Sequence, residues 1–185
     1  VLIALAGGVE ARVSAVIFAV SLTGLYGVSG AYHRGDWSQR AERRMRNLDH
    51  SMIYVLIAGS YTPITLLALR PEWGISLLAL AWTGAAVGIL ITVLRLDQWR
   101  RVGFVMYLTL GWLVAIATPQ LIRSLSIPEL CLLGAGGVLY TVGAIILARN
   151  RPDPSPTIFG YHEVWHAFVI GAGGCHYALV LLLVH

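Results

Sequence analysis

Apolar runs near twenty residues long recur along the chain, separated by short polar stretches. They fall at roughly 11–33, 50–69, 74–94, 102–122, 128–148 and 161–184. About 20 apolar residues span a bilayer's hydrocarbon core as one helix, so each run predicts a transmembrane helix. The apolar stretch 1–8 begins abruptly, without an initiating Met, and reads as the end of a further span. The expected fold is an all-α polytopic transmembrane bundle, a single domain over 1–185 with seven spans, the first truncated. Short connections make consecutive helices antiparallel neighbours. The longest, Arg34 to Leu48, is polar and arginine-rich and reads as a loop. The stretch Asn150 to Thr157 carries Pro152, Pro154 and Pro156 and cannot be helical throughout.

Within the runs, Gly84, Gly88, Gly134, Gly136, Gly137, Gly171, Gly173 and Gly174 mark expected sites of close helix approach. Pro63 and Pro119 should each kink its helix and free a carbonyl that a neighbour must satisfy.

Composition sharpens this picture. The chain is 57% hydrophobic and 12% charged, whereas soluble domains carry roughly 25% charged residues. All thirteen basic residues are arginine. Ten fall in the connections after the second, fourth and sixth spans: Arg34, Arg40, Arg43, Arg44, Arg46, Arg95, Arg100, Arg101, Arg149 and Arg151. Three, Arg12, Arg70 and Arg123, fall on the other side. The basic pI therefore reflects membrane orientation and not nucleic-acid binding: the ten belong in the cytoplasm, which with seven spans also holds the N-terminus and leaves His185 outside, whereas a six-span chain would start outside. Cys131 and Cys175 lie inside apolar runs and read as small core residues.

The helix ends on the arginine-rich side carry the candidate chemistry. The second span ends Ser29-Gly-Ala-Tyr-His33, the third begins Leu48-Asp49-His50-Ser51, and the last begins His162-Glu-Val-Trp-His166. Two histidines four apart share one helix face, and His33 could meet them from another helix. Three imidazoles suit a tetrahedral zinc with one position open to water, which such a metal brings to a pKa of about 7. Asp49 could hold or deprotonate that water, and Ser29 could orient it or a substrate carbonyl. Taken singly, these residues have blander roles: interfacial histidines, a helix-packing serine, and an Asp49 that caps its helix or pairs with Arg46. Their convergence on three helices favours a metal site. His50 points about 100° away from Asp49 around the helix and reads as interfacial. His176 lies about 15 Å beyond His166 and reads as a packed polar residue. His162 to His166 also fits H-E-x-x-H, which makes Glu163 a competing general base; its alternative role is a charge in the first helical turn.

These segments, with Ala58-Gly-Ser-Tyr-Thr-Pro63 and Phe159-Gly-Tyr-His162, resemble the bacterial haemolysin III proteins, relatives of the progestin and adiponectin Q receptors. The resemblance covers essentially the whole chain. It implies seven spans, an intracellular N-terminus, and a zinc near the cytoplasmic face held at His33, His162 and His166. Asp49 and Ser29 would act through the zinc-bound water. The adiponectin receptors have no acid at the position of Glu163, which lowers the weight of a protease mechanism. Relatives among the alkaline ceramidases are linked to hydrolysis of lipid amides.

Three functions compete. The first is a zinc-dependent hydrolase of a lipid amide or ester in the bacterial inner membrane, with membrane lipids as partners and substrate. The second is a haemolysin-like pore, transporter or membrane-homeostasis protein with structural zinc. A sparse polar inventory between the histidine cluster and the far side argues against a wide ion path. The third is an intramembrane protease using Glu163.

Overall fold

The computed structural model describes residues 1–94 and 100–185, with Arg100 and Arg101 described by backbone alone. Among the ten loop arginines, Arg95 and the side chains of Arg100 and Arg101 thus lie outside the described residues. The described elements are helices α1 (Leu2–Leu5), α2 (Val9–Arg34), α3 (Gln39–Leu67), α4 (Pro71–Val93), α5 (Arg100–Trp112), α6 (Thr118–Ser124), α7 (Ile127–Arg149) and α8 (Tyr161–Val184), with a 3-10 segment, Leu113–Ala117, between α5 and α6. Six helical stretches among the described residues are long and apolar enough to cross a membrane. Large apolar side chains stand exposed on them, such as Val20 at 66%, Ile122 at 61% and Ile170 at 60%. Water would not tolerate that surface over so much of a chain, whereas lipid does.

The chain divides into two compact units. One comprises Val1–Ser124 with Leu183–His185, the other Leu125–Leu182.

In the first unit α3 is central, with 61% of its apolar window buried against 28% for α2 and for α4. Small residues let its neighbours approach. On α4, Gly74, Leu77, Ala81, Ala85 and Gly88 form one buried stripe at helical spacing. A Cβ on Gly74 would collide with the Thr65 carbonyl oxygen, and one on Gly88 with the Tyr54 ring. On the other flank, a Cβ on Gly24 would meet Met52, and one on Gly59 would meet Ser21 of α2. Gly84 likewise receives Leu110. The small-residue expectation thus holds at Gly84, Gly88 and Gly136, but Gly134, Gly137 and Gly174 have nothing within 4 Å of an added Cβ. A glycine in a lipid-facing run need not mark a helix contact.

Two further expectations are corrected. Arg34 to Leu48 is not a loop: only Gly35 to Ser38 separates α2 from α3. The Ser38 hydroxyl accepts from the Ala41 N–H at 3.5 Å, and the following Gln, Arg, Ala and Glu are strong helix formers. Cys131 is exposed and Cys175 only half-buried. Apolar surroundings in the sequence do not say which helix face meets protein and which meets lipid.

Pro119 does break its helix. Its missing N–H leaves the Ala115 carbonyl without the helical donor, and the Thr118 hydroxyl donates to it at 2.6 Å. Upstream, the Tyr61 hydroxyl of α3 enters the break. It donates to the Leu110 carbonyl at 2.7 Å and accepts from the Val114 N–H at 2.6 Å. In hydrocarbon no water can replace it. Tyr61→Phe is therefore expected to cost about 1–3 kcal/mol of stability, measured by equilibrium unfolding in mixed micelles; an unchanged midpoint would show that the break satisfies itself.

Candidate metal centre

α2 and α3 form an antiparallel pair whose register follows from two contacts, Gly24 against Met52 and Gly59 against Ser21. That register sets Asp49 level with Ser29, while His33 lies one turn nearer the connection. Asp49 is only 6% exposed. It sits ten residues into α3, so it caps nothing; Ser38 holds that position. Among the described residues no arginine pairs with it, Arg46 included. Both blander readings of Asp49 are thereby removed. A buried carboxylate without a cation is costly to the fold, which is the mark of a group retained for another reason. Beside it the phenol of Tyr107 lies within electrostatic reach, stacks on Tyr54 with ring centroids 4.4 Å apart, and donates to the His50 carbonyl at 3.4 Å. Nothing in the sequence pattern singled out Tyr107, because its partners lie some fifty residues away. Ser29 is half-buried on α2, and His33 is exposed in its last turn.

In the second unit, His162 and His166 share one face of α8, with ring centroids 4.7 Å apart and planes at 80°. Trp165 packs against both, at 5.2 Å and 4.5 Å. Two half-buried imidazoles at that spacing can present nitrogens to one ion, and a set without thiolates is compatible with zinc.

The start of α8 is held by two carboxylates. Glu163 accepts from the Gly160 N–H at 2.9 Å, and Asp153 from the Tyr161 N–H at 2.9 Å. Glu163 is exposed and engaged at the helix N-terminus. The H-E-x-x-H match is therefore one of pattern, and the first-turn role of Glu163 is the one realised. Asp153 was not legible as a cap, since it lies eight residues before the N–H it binds. The Pro-rich loop folds back through Ser155 and Phe159 to bring it there. Gly160 leaves the room: a Cβ on it would meet the Asp153 carboxylate at 2.7 Å. Asp153→Ala is expected to cost about 1 kcal/mol and to loosen the turn bearing His162, seen as faster amide exchange at Tyr161; exchange at the wild-type rate would deny the cap.

His176 behaves as expected of a packed polar residue. Its ring lies edge-on to Tyr140 at 5.5 Å and fills the space left by Gly136.

Helices of this length and surface make the protein a polytopic integral membrane protein. The family model described as haemolysin-III related matches residues 1–177. The chain is 35% identical to Hemolysin-3 of Bacillus cereus over 96% of its own length and 78% of that protein's. It is 36% identical to the Hemolysin-3 homolog of Bacillus subtilis (strain 168), over 91% and 76%. It is also 27% identical to the human monocyte to macrophage differentiation factor, over 90% and 68%. No solved structure matches. The chain belongs to the haemolysin-III related family and shares its relation to the progestin and adiponectin receptors.

Proposed function

We propose that this protein is a zinc-dependent hydrolase of a lipid amide or ester, seated in the bacterial inner membrane with its arginine-rich ends and N-terminus in the cytoplasm. The observation that carries this reading is Asp49, a buried carboxylate without a described cation, level with Ser29 in the α2–α3 pair. In this reading His33, His162 and His166 together hold the metal ion. Zinc, when bound there, supplies Lewis acidity. Asp49 accepts the proton of the attacking water and returns it to the leaving nitrogen or oxygen as the C–N or C–O bond breaks. The Ser29 hydroxyl donates to the carbonyl oxygen of the substrate as negative charge gathers there. Tyr107 fixes the α3 turn that carries Asp49 through its bond to the His50 carbonyl. Glu163 stays at the start of α8 and takes no proton.

The test is release of fatty acid from a long-chain N-acyl amide and its matching ester by the purified protein in liposomes. Release above a protein-free control, lost when metal is chelated, supports the hydrolase. Ionic conductance in the same liposomes without fatty-acid release would instead favour a pore with structural zinc.

A further inference from the structure

The first turns of α3 hold Arg40, Arg43, Arg44 and Arg46, and Arg34 ends α2. All five are exposed, and none pairs with a carboxylate among the described residues. Ala41, Met45 and Asp49, four apart, are the half-buried to buried face of this stretch. Arg40, Arg43 and Arg44 occupy the opposite side of the helix. Arg46 lies at their edge, where a shallow recess is lined by Gln39, Glu42, Arg43 and Arg46.

Orientation alone does not call for this arrangement. The positive-inside rule counts basic residues on a side; it requires neither a shared helical face nor an absence of acidic partners. The helix also runs without interruption into its apolar stretch, so the depth of these side chains is fixed. Arg44 precedes Leu48 by one turn and Arg40 by two, roughly 6 Å and 12 Å along the axis. The polar layer on each face of a bilayer is about 5–8 Å deep, and an arginine side chain reaches several ångströms more. Trp37, exposed beside them, is a residue favoured at that level.

We infer that the exposed face of Arg40, Arg43 and Arg44, with Arg46 at its edge, is a docking surface for the phosphodiester headgroup of an anionic phospholipid. Guanidinium forks match phosphate oxygens two at a time, and several on one face hold a headgroup that a single loop arginine would not. The surface is independent of the metal and of which membrane face it occupies.

The experiment uses the full chain in non-ionic detergent, titrated with phosphatidylglycerol and with phosphatidylcholine of the same acyl chains. Bound lipid is counted by native mass spectrometry. Each guanidinium removed is expected to weaken phosphatidylglycerol binding about fivefold, so R40Q/R43Q/R44Q weakens it on the order of a hundredfold and leaves phosphatidylcholine unchanged. R44Q alone, at an exposed position, should give the fivefold step and decides the matter should the triple variant lose its helical circular dichroism. Equal binding of the two lipids, or undiminished phosphatidylglycerol affinity in R44Q, would overturn the inference. So would displacement of phosphatidylglycerol by inorganic phosphate at equal concentration, which would mark a free-anion site.

Discussion

Asp49→Ala is expected to retain its metal, about one ion per chain, and to lose lipid turnover by roughly 10²–10⁴-fold, the range for a positioned proton acceptor. The same change should raise stability. With the metal removed from both proteins, the wild-type carboxylate is buried with no described cation, and removing it ends a desolvation cost. The two readouts together separate chemistry from architecture. A carboxylate serving the fold would lose stability on truncation; one held for a reaction gives the opposite sign, as stability traded for activity predicts. The measurements are metal content, fatty-acid release and the unfolding midpoint of wild type and variant purified side by side. Unchanged turnover with metal retained would end the proposed role of Asp49. Metal lost along with turnover would instead place it among the ligands.

His162→Ala is expected to reduce metal content from about one ion per chain to near background, with affinity falling by more than the roughly 10–100-fold that follows loss of an outer partner of a ligand. His162 and His166 offer their rings from one helical face, and the remaining imidazoles make a poor site alone. Activity should fall with occupancy. His176→Ala, on the same helix but about 15 Å further along, should keep its metal and so controls for general damage to α8. Elemental analysis of protein purified without chelator gives the answer. A well-folded wild type that carries no metal would reduce the histidines to helix-end packing and leave the pore or scaffold reading ahead. Metal retained in full by His162→Ala would show that the ligand set lies elsewhere.

The spans were legible because lipid imposes its own rule: a run of about 20 apolar residues can hardly be anything else. What hydropathy does not see is helix outside the membrane. Gln39 to Leu48 read as loop because it is polar, yet it is a capped, helix-forming segment continuous with α3. That error matters functionally, since it is the helix that puts the arginines on one face. Nor does hydropathy distinguish protein-facing from lipid-facing positions, which is why Cys131 read as core and stands exposed. Pro119 announced a helix break. The group that heals it, Tyr61, comes from a helix some fifty residues earlier and carries no local signal.

The candidate site divides the same way. The sequence by itself determined which residue types are available: two histidines one turn apart, a third ending another helix, and an acid and a serine on the neighbouring helices. Periodicity requires that His162 and His166 share a face, because four residues return nearly to the same side of a helix. Tertiary structure alone decided the surroundings of the two acids. H-E-x-x-H made Glu163 a competitor of Asp49, and the family resemblance lowered its weight; packing then leaves one exposed at a helix start and buries the other. The Pro-rich loop and Gly160 let Glu163 bind a backbone N–H at the start of α8, where an exposed charge meets unsatisfied donors. Asp49 is buried, and the register of α2 and α3 at Gly24 and Gly59 sets it at the level of Ser29. Burial is a property of what neighbouring helices bring, and no pattern along one of them contains it.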